Sequence, residues 1–281
     1  MDKLGPSGMD SLAELRPSGN CVWVRATNAL LMLALGWGFA LTGKDEVVAA
    51  EAGTPRPLIV LIEPAEKEFF SKKLDYSGIP IKGPAVVSDA ALFAAFERLD
   101  LLLKRLPDVA AKLAVAGVEL HIIGKDQVTT DLPEWRQDKG KPLAEYNGLT
   151  RDERTRGMGG RLVSCGEENL LKLEKDRYRG RDICVHEFAH AIRNYGMKRE
   201  VRARFDELFK NSLAQGKWVK SYAGSNRDEF FAELTMWYFG THGDLSMTGV
   251  KPKDGPEGLK EYDPEAFAVF EEFYRGGVSS D

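Results

Sequence analysis

Two of the four histidines in this 281-residue chain lie four positions apart, in His186-Glu187-Phe188-Ala189-His190. On a helix, residues i and i+4 share a face, so both imidazoles reach one metal ion, a donor pair that suits zinc. Glu187 points to the neighbouring side, where a carboxylate takes a proton from an activated water. A hydrolytic centre of this kind needs a third protein ligand and one open position. Downstream, Glu229 and Glu233 are four apart and share a helix face. One of the two ligates the metal, and the other accepts a hydrogen bond from a ligating imidazole. They are set among Phe230, Phe231, Ala232 and Leu234, and carboxylates on a buried helix need a partner.

Two helices must position these groups. Asp182 reads as the N-cap of the first, Ile183, Ala189, Ala191 and Ile192 give it an apolar body, and Gly196 ends it. The second runs on to Trp237-Tyr238-Phe239, with Ser225 and Asp228 in a capping-box arrangement and Gly240 at its end. Upstream, Leu58 to Ile62 is an apolar β-type run, and Ser88 to Leu106 repeats apolar residues at helix spacing. Asp108 to Ala116 makes a short helix closed by Gly117, and Val118 to Ile123 a strand whose His121 faces solvent or core. Residues 124–160 are loop-rich, and a loop of that length in a compact domain is usually functional or mobile. Val201 to Leu213 and Pro264 to Tyr274 are amphipathic helices, and His242 reads as a loop histidine.

An H-E-x-x-H helix followed by a second helix carrying a Glu ligand resembles the gluzincin class of metallopeptidases. The string Ser221-Tyr222-x4-Asn226-x2-Glu229-Phe230-Phe231-Ala232-Glu233 is similar to the catalytic domain of anthrax lethal factor and its relatives. Ser164-Cys165-Gly166-Glu167-Glu168-Asn169-Leu170-Leu171, Arg179-Gly180 and Thr129-Thr130-Asp131-Leu132-Pro133-Glu134 resemble secreted lethal-factor-like zincins. The resemblance spans roughly residues 118–240. It implies an α+β zincin-like domain: a small mixed sheet, the HExxH helix and a downstream Glu-bearing helix. It also implies His186, His190 and Glu229 as ligands of one zinc ion, Glu187 as general base, and Glu233 as a partner behind the ligands. Tyr222, seven residues before Glu229, would stabilise the oxyanion or protonate the leaving amine.

Other chemistries fit less well. A metzincin needs a third His where Gly196 stands, and Ser164 or Cys165 has no nucleophile elbow. With 39 Lys+Arg against 43 Asp+Glu the chain is close to neutral, so no nucleic acid is expected as a partner. The expected partner is a peptide or protein substrate, with nothing in the sequence specifying an oligomeric state. Two alternatives stay open: a zinc-stabilised binding or toxin-like domain without proteolysis, and an amidase acting on cell-wall peptides.

The N-terminus reads as an address. Arg16 and Arg25 precede the apolar run Ala29 to Leu41, and Ala50-Glu51-Ala52 supplies small residues before Gly53. The run falls short of the roughly 20 apolar residues of a spanning helix. The expectation is a signal peptide with its n-region over 1–52, cleavage after Ala52, and a secreted or periplasmic protein. Residues 53–281 then form one domain, with an upstream half 53–160 and a catalytic half 161–281. In an oxidising compartment Cys165 and Cys184 remain as an even pair, and a disulfide between them competes with two buried thiols.

Overall fold

The structure is a computed structural model that describes residues 57–242, 247–248 and 250–277; the expected leader and its cleavage point after Ala52 lie outside the described residues. Alternating burial builds the first part of the sheet. In β2 (Phe70–Tyr76), Phe70, Leu74 and Tyr76 point inward, while Asp75 stays in water. This strand turns at Ser77-Gly78 into β3 (Ile79–Gly83), and β1 (Val60–Glu66) covers its other side, all antiparallel. The apolar run at Leu58 to Ile62 therefore starts the strand early and ends it short. It is an edge strand with Val60 and Leu61 exposed rather than a buried one.

Helix α1 (Asp89–Leu103) is capped by the Ser88 side chain, and α2 (Pro107–Val115) follows with Pro at its first position, where the missing N–H costs nothing. Together they carry the chain over to β4 (Glu119–Ile123), parallel to β3, and β5 (Leu162–Gly166) lies parallel to β4. The sheet order is β1-β2-β3-β4-β5. Beyond β5, Met158 and Ser164 exchange antiparallel backbone hydrogen bonds of 3.1 and 2.9 Å, so the 157–160 segment borders the outer edge of the sheet. The long segment after β4 holds only short turns and α3 (Arg151–Arg154). Two helices follow the strands: the single turn α4 (Glu167–Leu170), and then α5 (Ile183–Ala191), which packs on β5, on α1 and on the later α7 (Arg227–Tyr238). Helices α6 (Arg199–Ala214), α8 (Pro256–Tyr262) and α9 (Pro264–Tyr274) close the far side of α7, where Phe205 meets Phe231, Phe270 and Phe273 edge to face and Phe231 stacks on Phe270. This is a mixed α+β architecture with one main apolar core.

His121 is fully buried on β4 with a carboxylate at each ring nitrogen, Glu134 at 2.6 Å and Glu119 at 2.9 Å. Lys82 bridges Glu119 and Glu66 at 2.8 and 2.9 Å, so the chain of charges ties β1, β3, β4 and the segment after β4 together. The hydrogen bond from His121, aided by Lys82 against the cost of burial, depresses the Glu119 pKa from 4.5 to about 2. A depressed carboxylate stabilises the fold above its unfolded pKa and loses that contribution as pH falls through the folded one. The Tm deficit of Glu119→Gln should be largest above about pH 4.5 and vanish towards pH 2. Thermal melts at both ends of that window test it; a deficit that ignores pH would assign the effect to packing.

Candidate metal centre

Helix α5 starts where the sequence places it. The Asp182 carboxylate accepts from the Val185 N–H at 3.1 Å, and Arg98 of α1 donates to its other oxygen at 2.6 Å. Ile183, Cys184, Val185, Phe188, Ala189 and Ala191 are all buried, so the helix lies inside the domain, with only Glu187 and His190 partly exposed. A π-helical turn, Ile192–Gly196, continues it. Its Arg193 is buried and donates to Asp228 at 2.7 Å and to Asp206 at 2.5 Å, which locks the end of α5 to α6 and to the first turn of α7.

Helix α7 is capped by Asn226 rather than by the expected Ser225/Asp228 box. The Asn226 side-chain oxygen accepts from the N–H groups of Asp228 and Glu229 at 2.9 and 3.0 Å. That cap places Glu229 in the first helical turn, against the two histidines. Nε2 of His186 and Nε2 of His190 stand 3.2 Å apart, and Oε2 of Glu229 is 3.1 Å from the first and 3.5 Å from the second. Four ligands placed tetrahedrally at about 2.0–2.2 Å from zinc are separated by roughly 3.3–3.6 Å. Buried Oε2 of Glu229 has no well-aligned hydrogen-bond donor, so a cation is the partner that its position suits. Glu187 also brings an oxygen within 4.8 Å of donor atoms on both histidines, but Glu229 makes the closer approach to each ring.

Charge is concentrated here. Burial disfavours the imidazolium of His186, yet the carboxylates of Glu229 and Glu233 beside it push its pKa up to about 10. Glu229 is held well below the ordinary carboxylate range: burial opposes ionisation, and the two imidazoles outweigh it. Glu187 moves the other way. Its enclosure by protein raises its pKa, with Glu229 adding to the rise while His186, His190 and Arg154 oppose it. A carboxyl whose pKa is raised is better suited to taking and returning protons than one held as a fixed charge.

Tyr222 stands on a 3-10 turn, Tyr222–Gly224, capped by the Ser221 hydroxyl. Ser221 Oγ donates to the Trp218 carbonyl at 2.7 Å, and a Cβ at Gly224 would come within 2.0 Å of that same oxygen, so only glycine lets the turn seat there. The Tyr222 ring lies 6.2 Å from the His186 ring, nearly parallel to it. Burial and the facing Glu229 carboxylate push its hydroxyl well above the usual phenol range, leaving it a protonated donor. Backbone approaches Glu187 and His190 closely. A Cβ at Gly157 would stand 3.0 Å from Cγ of Glu187, and one at Gly159 would stand 3.1 Å from the His190 side chain.

Glu233 is fully buried one turn beyond Glu229. Its Oε1 lies 3.1 Å from Nδ1 of His186, off the alignment of a full hydrogen bond, and accepts from the Arg181 guanidinium. The structure thus brings His186, Glu187, His190, Tyr222, Glu229 and Glu233 into one cluster. Of the two readings left open for Cys165 and Cys184, the structure has the buried thiols: they are free, side by side and fully buried where β5 meets α5. Burial pushes the Cys165 thiol up, which withholds the thiolate that disulfide exchange requires. His242 is buried too, stacked on Trp237 with ring centroids 4.0 Å apart. Arg154, Gly157, Gly159, Arg181 and Arg193 were not picked out as site residues from the sequence. Only Arg181 had a signal, as a cation directly before the Asp182 N-cap.

No family model matches the chain, and no curated protein matches it. Among solved structures it is similar to the Pro-Pro endopeptidase PPEP-2 from Paenibacillus alvei, at 18% identity and a TM-score of 0.47. The match covers 66% of this chain and 92% of that one.

Proposed function

We propose that this chain is a zinc-dependent metallopeptidase of the gluzincin kind. One zinc ion would be held by His186, His190 and Glu229, and residues 53–281 would form the secreted hydrolase left after the leader is removed. The observation that carries the reading is the convergence of two Nε2 atoms and one carboxylate oxygen within 3.1–3.5 Å of each other, on two helices locked together by Arg193. When bound, zinc supplies Lewis acidity to a water and to the scissile carbonyl. Glu187, beside that position, removes the proton from the attacking water and delivers it to the departing amine nitrogen. Tyr222 faces Glu229 as a neutral hydroxyl and donates to the oxyanion that forms at the carbonyl oxygen.

Tyr222→Phe should lower kcat by about 10²–10³ while zinc affinity stays unchanged. A parallel loss of kcat and of metal would make Tyr222 a structural residue. The function itself is tested by incubating the zinc-loaded chain with a proteome-derived peptide mixture and reading new N-termini by mass spectrometry. A discrete set of cleavages that disappears when the metal is stripped supports a peptidase. Cleavage of peptidoglycan fragments alone would move the assignment to a cell-wall amidase. No new termini in either mixture, from a chain that holds zinc, would leave a metal-stabilised binding domain. Among the described residues no helix is long and apolar enough to cross a membrane, and the proposal of secretion rests on residues 16–52.

A further inference from the structure

We infer that Arg181 is a positioning residue for the metal centre, and that Asn169 holds it in place. The inference rests on the reading of His186 as a zinc ligand. Glu233 is a carboxylate with no exposure, set among Phe230, Phe231, Ala232, Leu234 and Trp237. A charge in such surroundings is retained only beside a counter-charge. Arg181 supplies it directly, through a guanidinium nitrogen on Oε1. The same Oε1 faces Nδ1 of His186, so it acts on the ring edge opposite the metal-facing Nε2. A carboxylate on Nδ1 keeps the proton there and the lone pair on Nε2, and it fixes the rotation of the ring. Arg181 therefore acts on the metal through Glu233 and His186 without touching it.

Arg181 itself is placed by one amide side chain. Asn169, the last polar residue of α4, donates from Nδ2 to the Arg181 carbonyl at 2.7 Å and accepts at Oδ1 from the Ile183 N–H at 2.9 Å. It brackets the Asp182 cap on both sides. Nδ2 also reaches Asp176 Oδ1 at 3.1 Å, and Asp176 accepts from the N–H groups of Tyr178 and Gly180 at 3.0 and 3.1 Å. The loop between α4 and α5 is thus folded on itself around two side chains, and its last residue before the cap is the cation on Glu233. The Glu167-Glu168-Asn169 string, which the metal centre alone does not explain, acquires a role: its Asn sets the backbone from which Arg181 reaches.

The test is zinc affinity of the full chain, read by competition with a chromogenic chelator, which needs no turnover. Arg181→Ala should weaken zinc by about 10–100-fold, the usual effect of removing a partner behind a metal ligand, and Arg181→Lys should recover most of that loss. Glu233→Gln removes the charge that Arg181 neutralises, so Arg181→Ala in that background should add little further loss. This pair also covers the case in which Arg181→Ala alone fails to fold. Wild-type affinity in a folded Arg181→Ala, or equal and additive losses in both backgrounds with no rescue by Lys, overturns the inference. A wild-type chain that takes up no zinc overturns it together with the metallopeptidase reading. Tight zinc binding without hydrolysis overturns only the latter.

Discussion

Glu187→Gln is expected to keep its zinc and to lose turnover, with kcat falling on the order of 10²–10⁴-fold, the range for loss of a positioned general base. The substitution preserves size and removes only the basic oxygen. Glu187 shares α5 with both histidines but makes a weaker approach to them than Glu229, so the ligand set does not depend on it. Its pKa is raised by enclosure, an environment that favours proton uptake during reaction over a fixed charge. The backbone of Gly157 packs on its side chain, which restricts the rotamers from which it can act. Elemental analysis of the purified variant, together with initial rates on a peptide found by N-terminal profiling, checks both halves. Undiminished hydrolysis would remove Glu187 from the mechanism.

The second large effect is expected at Glu229. Its side chain brings an anionic oxygen to the two imidazoles, and Glu229→Ala should lower zinc affinity by more than the roughly 100-fold seen for outer partners. Activity should fall with metal content and return in part at high added zinc, because Glu187 and Tyr222 are untouched. The Asn226 cap bonds to the backbone of residue 229, not to its side chain, so α7 should keep its first turn. A variant that retains one zinc per chain would transfer the ligand role elsewhere, with Glu187 the nearest carboxylate.

Much of this was legible because helix signals are local. The Asp182 cap, the i, i+4 histidines, the run of α9 and the Ser88 cap all follow from periodicity and side-chain chemistry within one or two turns. The β2–β3 hairpin was missed, since Lys72, Lys73 and Lys82 hide the alternation, and the partners of Lys72 (Asp89) and of Lys82 (Glu66 and Glu119) lie outside the hairpin. The choice between Glu229 and Glu233 could not be made from spacing. It depends on how α7 is rotated against α5, and that is set by Arg193 and by Arg181 across gaps of 35 and 52 residues. His121 stayed open between solvent and core for a related reason, one of its carboxylates lying on a neighbouring loop and the other on its own strand. Short-range patterns name the candidate ligands; long-range ion pairs aim them.

The two thiols at the seam of β5 and α5 make the domain its own reporter. Cys165 and Cys184 are the only cysteines among the described residues, and a reagent reaches neither until the helix carrying the histidines lifts from the sheet. Their alkylation rate is thus a clock for opening of that helix. An ion that bridges α5 to α7 slows the clock in proportion to how tightly it is held.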